Sequence, residues 1–350
     1  MTEVPIIKTE KPFISFNGRL SEGPLYDPRD NSLAWVDIID NKVFRAQLSF
    51  ATTTEHEQVP IVKCFEVDDP IGCLGLTEQV GRYIAGCRFG IAYLDLNSVA
   101  PHLSLDYIKR LDRHTTIFSE GDMTDIQMRL NDGVVAPDGS FYFGSMLDFD
   151  SESKYGTKPL GHLYCLDDFA SVNDIRLVLD GLSIPNGMAF DPADPAVVYL
   201  IDSETETITK YHYEAATKSF SDPKVFFDFK NYFKLRPNSD TPQPDGCVVT
   251  ADGSLWTAVW GTGTVLRINI KTAAVAEEYQ FPAARVTCPT FGGLGGDDMF
   301  VTSASLDIDG KGGPVGEDRG GDIFRVKIDS GKDKTNFYQS CSKSFIFRGK

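Results

Sequence analysis

Four short segments of this sequence share one arrangement of polar and small residues. They are SEGPLYDP from Ser21, RLNDGVVAPDG from Arg129, IPNGMAFDP from Ile184 and QPDGCVVTADG from Gln243. Each places an acidic or amide side chain beside glycine or proline, in a short turn before an apolar strand that ends in Asp-Pro or Asp-Gly. The repetition predicts that these polar side chains fall at the same end of successive structural units and converge there.

Three of these polar residues form a set that suits a metal ion. Glu22, Asn186 and Asp245 together offer only oxygen ligands and carry two negative charges. Such a set favours Ca²⁺, Mg²⁺ or Mn²⁺ over metals that prefer sulfur ligands. Asn-Gly and Asp-Gly turns are abundant in β proteins, so the spacing alone leaves open the alternative that Asn186 and Asp245 are ordinary turn residues.

Several familiar catalytic patterns are missing from the sequence. It contains no Gly-x-Ser-x-Gly nucleophile turn, no His-Glu-x-x-His zinc motif and no Gly-rich phosphate loop ending in Lys-Ser or Lys-Thr. The 5 histidines show no ligand-like spacing, so histidine catalysis is not indicated. The DIDG segment from Asp307 lacks the further oxygen ligands of an EF-hand, and we interpret it as an exposed turn.

Six apolar, strand-like runs supply the elements that must position the polar residues. The runs are SLAWVDI from Ser32, YIAGCRFGIAYLDL from Tyr83, SFYFGSM from Ser140, VVYLIDS from Val197, SLWTAVW from Ser254 and DMFVTSA from Asp298. Their starts are separated by about 44 to 57 residues, the length of one four-stranded propeller blade. Most runs precede a second strand that completes a hairpin, as in KVFRAQL from Lys42.

These repeats predict an all-β chain that folds as a single six-bladed β-propeller over residues 1–350. A lone four-stranded meander cannot bury both faces, so we expect six of them to pack around a central, metal-binding channel. The WD and kelch signatures of protein-binding propellers are absent, and we infer no protein partner. Residues 98–125 and 148–159 exceed what hairpins need, and we interpret them as blade-connecting loops or a lid.

Net charge, apolar stretches and cysteine spacing indicate which partners and which cellular compartment to expect. A net charge of -16 without a basic patch argues against nucleic acid as a ligand. We expect no membrane association, because no stretch approaches the ~20 apolar residues of a membrane span and residues 1–13 do not resemble a signal peptide. The 7 cysteines are scattered and form no Cys-x-x-Cys pair, so neither a disulfide framework nor a zinc cluster is indicated. These features predict a cytoplasmic protein.

In order and spacing, the four polar segments resemble those of the regucalcin/gluconolactonase family, also called the senescence-marker-protein family. VTCPTFGG from Val286, the DMFVTSA strand and GGDIFRVKI from Gly320 resemble that family's last blade and closing segment. The resemblance implies a six-bladed propeller with one divalent cation in its channel, held by Glu22, Asn186 and Asp245. It also implies substrate contacts at Arg129 and Asn131, with Asp132 beside them. A further acidic contact of the family falls on Asp148, which stands where a glutamate is usual.

The resemblance implies hydrolysis of a sugar lactone, with an aldonolactone such as gluconolactone as the substrate. Asp245 is the candidate general base that takes a proton from the attacking water; alternatively, the cation activates the water and Asp245 orients it. The oxygen ligands fit Ca²⁺ best, while Zn²⁺, Mn²⁺, Mg²⁺ and Fe²⁺ are also compatible. Two other functions stay open, a metal-dependent phosphotriesterase or arylesterase and a non-enzymatic calcium-binding regulatory propeller.

Overall fold

The computed structural model describes residues 4–48, 60–111, 126–167, 175–234, 242–250, 252–328 and 342–348. In these residues, six mainly antiparallel sheets form the blades of a β-propeller, which confirms the predicted fold class. The blades follow one another in sequence order, and the main strands of each blade run outward from the central channel. Three short strands from elsewhere in the chain join blades five, one and two by parallel pairing, namely Ile6–Lys8, His102–Leu103 and Ile346–Phe347. We number the blades from one to six along the chain.

The strands of the first three blades have the following bounds. They are Ser21–Asp27, Ser32–Asp37, Lys42–Gln47, Ile61–Val67 and His102–Leu103 in blade one; Ile71–Thr77, Arg82–Cys87, Gly90–Asp95, Asp106–Arg110 and Ile346–Phe347 in blade two; and Met128–Val135, Phe141–Leu147, Gly161–Leu166 and Ile175–Leu182 in blade three.

The other three blades follow the same plan. Their strands are Pro185–Phe190, Val197–Asp202, Thr207–Glu214 and Ser219–Asp228 in blade four; Gln243–Thr250, Ser254–Trp260, Thr264–Asn269, Val275–Gln280 and Ile6–Lys8 in blade five; and Arg285–Gly292, Asp298–Ala304 and Phe324–Lys327 in blade six. Two short α-helices, Phe149–Tyr155 and Phe229–Phe233, lie in the connections.

The six predicted apolar runs contain the second strand of each blade, where both faces are covered by neighbouring blades. These strands read as nearly continuous apolar sequence because both faces are buried. Aromatic side chains fill the space between blades. Trp256 of blade five, for example, meets Phe291 of blade six edge-on, with ring centroids 5.0 Å apart. In blade two the single predicted run is instead two strands joined by a turn at Arg88 and Phe89.

The N-terminal segment closes the ring. Ile6–Lys8 lies along the outer edge of blade five, and Ile14 forms an antiparallel bridge to Ile323 beside the third strand of blade six. The Ser15 hydroxyl donates to the Asp322 carboxylate at 3.1 Å. The chain then enters the innermost strand of blade one, so its first residues link the last two blades to the first.

The four polar segments are not turns, and that part of the sequence interpretation is wrong. Each belongs to an innermost strand, and the pairing register shifts within it. The shift occurs in all six blades, between Glu22 and Leu25, Ile71 and Cys73, Leu130 and Gly133, Pro185 and Met188, Pro244 and Cys247, and Val286 and Pro289. Such bulges accommodate extra residues and redirect side chains, so Asn-Gly and Asp-Gly mark bulges here.

Glycines let the bulges of adjacent blades approach closely. A Cβ atom on Gly72 would lie 2.1 Å from the backbone oxygen of Asn131, and one on Gly246 would lie 2.2 Å from the Cys288 sulfur. Both distances are too short for a real side chain, so only glycine fits at these positions. The bulges therefore form a tight ring around the channel and bring the side chains they carry close together.

The described parts of the two long connections contain regular secondary structure. His102–Leu103 and Asp106–Arg110 add outer strands to blades one and two, so residues 102–110 are not a loop, and residues 112–125 lie outside the described part of the chain. Residues 149–155 form an α-helix. Within the described residues, no helix combines the length and apolar character that crossing a bilayer requires.

Candidate functional site

A cavity of about 270 Å³ opens at the end of the channel where the innermost strands begin. The predicted residues that line it are Glu22, Arg129, Asn131, Asn186 and Asp245, from blades one, three, four and five. Other polar groups come from Glu152, Ser203 and Gln243, and an apolar wall is formed by Leu20, Ile38, Met146, Phe149, Ile184, Pro244, Trp260 and Ile308. The structure thus brings together five residues that are far apart in sequence.

Two carboxyl groups in the lining of this cavity, Glu22 and Asp245, act on each other. Burial raises the pKa of Glu22 well above its usual value, and the negative charges of Asp245 and Asp132 raise it further. Burial likewise raises the pKa of Asp245 to about 8; a hydrogen bond with Asn186 opposes this, and the charge of Asp132 adds to it. Without a cation, the pair is stabilised by holding a proton.

The oxygen groups here fit a hard divalent cation. The Oδ1 atom of Asp245 is buried and accepts no hydrogen bond from any described residue, so its lone pairs are available. Asn186 donates through Nδ2 to the Ser203 hydroxyl at 3.2 Å, and that hydroxyl donates to the Pro244 oxygen at 2.8 Å, which fixes the amide. Two carboxylates and one amide oxygen are ligands that Ca²⁺ and Mg²⁺ accept.

Among the described residues, no group of three or more His, Cys, Asp or Glu side chains is arranged to hold a metal ion. Six of the 7 cysteines lie in this part of the chain, and all six are free thiols.

Arg129 and Asn131 form a hydrogen-bonded unit beside the carboxylates. Arg129 donates through Nη1 to the Asn131 Oδ1 at 2.8 Å, and Asn131 donates through Nδ2 to the Pro185 oxygen at 3.1 Å. The guanidinium also lies over the Phe149 ring, 4.4 Å from its centroid. Burial lowers the pKa of Arg129, and the charges of nearby carboxylates oppose that shift. Its Nε–H has no hydrogen-bond acceptor in the described residues, which leaves a buried donor for a ligand.

Asp148 acts on Arg129 through its charge but is not part of the cavity lining. Its carboxylate accepts from the Phe149 N–H at 2.9 Å as the N-cap of the following helix, and it pairs with Arg88. Although the side chain is buried, it does not line the cavity. The capping interaction is typical of an aspartate just before a helix.

Glu152 is a cavity residue that the sequence reasoning missed. It lies in the helix Phe149–Tyr155, four residues after the Asp148 cap, and the Thr157 hydroxyl donates to its Oε1 at 2.9 Å. The signal in the sequence was an aspartate cap followed by an acidic residue one turn later, which places an acid on a defined helix face. Recognising residues 149–155 as a helix would have been necessary to use it.

Divalent cation affinity should depend strongly on pH. Because the pKa of Asp245 is raised to about 8, a cation that binds at lower pH must displace a proton. We expect the apparent affinity for Ca²⁺ to rise by up to about tenfold per pH unit between about pH 5 and pH 8. Isothermal titration of chelator-treated protein at several pH values measures this, and a pH-independent affinity would contradict the assignment of Asp245.

The strands define a six-bladed β-propeller, and comparison with known proteins agrees with this fold. The model of the SMP-30/gluconolactonase/LRE-like region matches residues 20–305. The chain therefore belongs to the SMP-30/gluconolactonase family, as the resemblance indicated. The family includes lactone hydrolases.

Individual relatives cover nearly the whole chain. The cell growth-regulated gene 1 protein of Candida albicans is 32% identical over 325 residues, which span 90% of this chain and 92% of that protein. Pentonolactonase XacC of Haloferax volcanii is 25% identical over 316 residues, spanning 89% of this chain and 91% of that protein. The structure of a calcium-binding regucalcin from Agrobacterium tumefaciens has the same fold, with a TM-score of 0.72, 19% identity and coverage of 99% and 100%.

Proposed function

We propose that this protein is a metal-dependent lactonase that opens a sugar lactone, such as an aldonolactone, to the corresponding acid. The observation that carries the proposal is the pair of interacting carboxyl groups, Glu22 and Asp245, in a cavity that Arg129 also lines. Membership of a family that contains lactonases supports the same conclusion.

Glu22, Asn186 and Asp245 are the residues that would hold the cation. A divalent cation bound there would polarise the lactone carbonyl and favour negative charge on its oxygen. The Arg129 Nε–H is a fixed donor for a substrate hydroxyl or carbonyl oxygen, and Glu152 is an acceptor for a hydroxyl across the cavity.

Asp245 is the proposed general base. Its free Oδ1 can take a proton from water while the water oxygen attacks the carbonyl carbon of the lactone. The ring C–O bond then breaks, the ring oxygen takes up a proton, and the product is a hydroxy acid. The apolar wall around Trp260 and Phe149 limits the water near the reacting carbon.

The same apolar wall favours a second candidate function. Trp260, Phe149 and Met146 offer a surface on which an aromatic leaving group can pack. We therefore keep an aryl ester or phosphotriester hydrolase as the alternative. A rigid oxygen cage without turnover would instead fit a calcium-binding regulatory protein.

The test is lactone opening followed by acid release in a weakly buffered pH-indicator solution. Chelator-treated protein should be inactive towards glucono-, xylono- and arabinonolactone, and adding back Ca²⁺, Mg²⁺, Mn²⁺ or Zn²⁺ singly should restore turnover. Phenyl acetate and a nitrophenyl phosphotriester serve as the alternative substrates. Asp106→Asn, an exposed carboxylate on the outer strand of blade two, is a matched control for site variants. Metal-restored turnover of the esters alone would reject the lactonase in favour of the second candidate.

A further inference from the structure

The C-terminal segment enters the central channel. Ile346–Phe347 pairs in parallel with Leu76 and Thr77, at the far end of the innermost strand of blade two. Because the two strands run in the same direction, the residues before Ile346 lie nearer the end where the site begins. The 3₁₀ turn Ser342–Ser344 contacts the innermost strands of blades four and five, so the segment occupies the channel beneath the site.

Lys343, in the turn Ser342–Ser344, is a buried charged residue of this segment. Its side chain is buried, with only 9% exposed, and its Nζ lies 2.9 Å from the Cys288 sulfur. Lys343 and Asp132 line the same small void of about 10 Å³, which is bounded by Gly23 next to Glu22. The positive charge of Lys343 stabilises the carboxylates of both Asp132 and Glu22.

Asp132 gives the channel a third carboxylate. It lies one residue after Asn131 and interacts unfavourably with Glu22 and Asp245, yet it does not line the cavity. A divalent cation at the candidate site would neutralise two of the three negative charges. The ammonium group of Lys343 neutralises the third.

We infer that Lys343 is a built-in counter-cation, which the C-terminal segment holds beneath the metal site. With its positive charge, the three carboxylates and Lys343 carry a net charge of about -2, which matches a divalent cation. This inference rests on the proposed cation site and adds a residue that fixes its charge. Lys343 is a positioning residue, because it acts on the bound ion through Asp132 and the field in the channel.

A double-mutant cycle tests the inference by calcium titration of chelator-treated protein. Lys343→Met removes the positive charge at similar volume and should tighten Ca²⁺ binding by about tenfold, whereas Asp132→Asn should weaken it by about tenfold. The double variant should return to within about threefold of the wild-type affinity. Tb³⁺ should gain more than Ca²⁺ from Lys343→Met, because the repulsion that is removed scales with the charge of the ion.

A purely structural role for Lys343 gives a different pattern. In that case Lys343→Met and Asp132→Asn would both leave Ca²⁺ affinity unchanged or both weaken it, and the inference would be wrong. If Lys343→Met fails to fold, Lys343→Arg, which keeps the charge, must bind Ca²⁺ within about threefold of wild type and Asp132→Asn must still bind more weakly. Wild-type protein that binds no divalent cation would overturn the metal site itself, an outcome distinct from a failed cycle.

Discussion

Asp245→Asn is expected to abolish turnover and, at the same time, to stabilise the metal-free protein. Replacing the carboxylate with an amide removes the proposed base and one ligand, so lactonase activity should fall by at least about a thousandfold. The amide also ends the buried repulsion with Glu22 and Asp132. Thermal unfolding above pH 8 should therefore show a metal-free variant more stable than wild type by about 1–3 kcal/mol.

The stability gained by Asp245→Asn should depend on pH, and its direction follows from the raised pKa of Asp245. In wild-type protein the folded state holds a proton on Asp245 that the unfolded chain releases near pH 4, so metal-free stability falls as pH rises from about 4 to about 8. The stability gain of Asp245→Asn should vanish towards pH 4. Asn186→Asp is the opposite control: it adds a carboxylate and should destabilise the metal-free protein. A variant that is destabilised at every pH would show that Asp245 is structural.

Arg129→Lys is expected to lower kcat/KM for the lactone by about a hundredfold while leaving Ca²⁺ affinity within a fewfold of wild type. Lysine keeps the charge but loses the planar fork that reaches Asn131 and offers the free Nε donor. Steady-state kinetics and calcium titration on the same preparation separate the two effects. Most of the loss should be in KM if the guanidinium mainly binds substrate.

Arg82→Lys is the matched control for this substitution. Arg82 also lies over an aromatic ring, with its guanidinium 4.1 Å from the centroid of Tyr93, but it belongs to the second strand of blade two, away from the cavity. Its replacement should leave kcat/KM unchanged. Equal losses in both variants would show that the Arg129 effect does not arise from its place in the cavity.

The number of blades was predictable because the second strands are buried on both faces. Runs such as those from Ser254 and Asp298 therefore stand out as continuous apolar sequence between polar turns. The bulges in the innermost strands were not predictable. A bulge adds a residue without changing local composition, so Asn186 and Asp245 before glycine read equally well as turns.

The three proposed metal ligands could be predicted from the sequence, but two charged residues near them could not. Glu22, Asn186 and Asp245 share a local pattern, so a repeat brings them together. The position of Glu152 is set by a single helix, which is not part of the repeat and so could not be predicted from it. The position of Lys343 is set by the path of the C-terminal segment. That path follows the inner edge of the first strand of blade two, a pairing partner that lies about 270 residues earlier in the sequence.

The closure of the ring has a consequence for how the chain folds in the cell. Ser15 hydrogen bonds to Asp322, a partner 307 residues later, and Ile14 pairs with Ile323. A ribosome must therefore synthesise almost the whole polypeptide before its first residues find their place. Once blade six has been made, it exposes a strand edge until the N-terminal segment pairs with it. Such long-range pairing makes folding slow, so the nascent N-terminal segment is where we expect chaperones to be needed most.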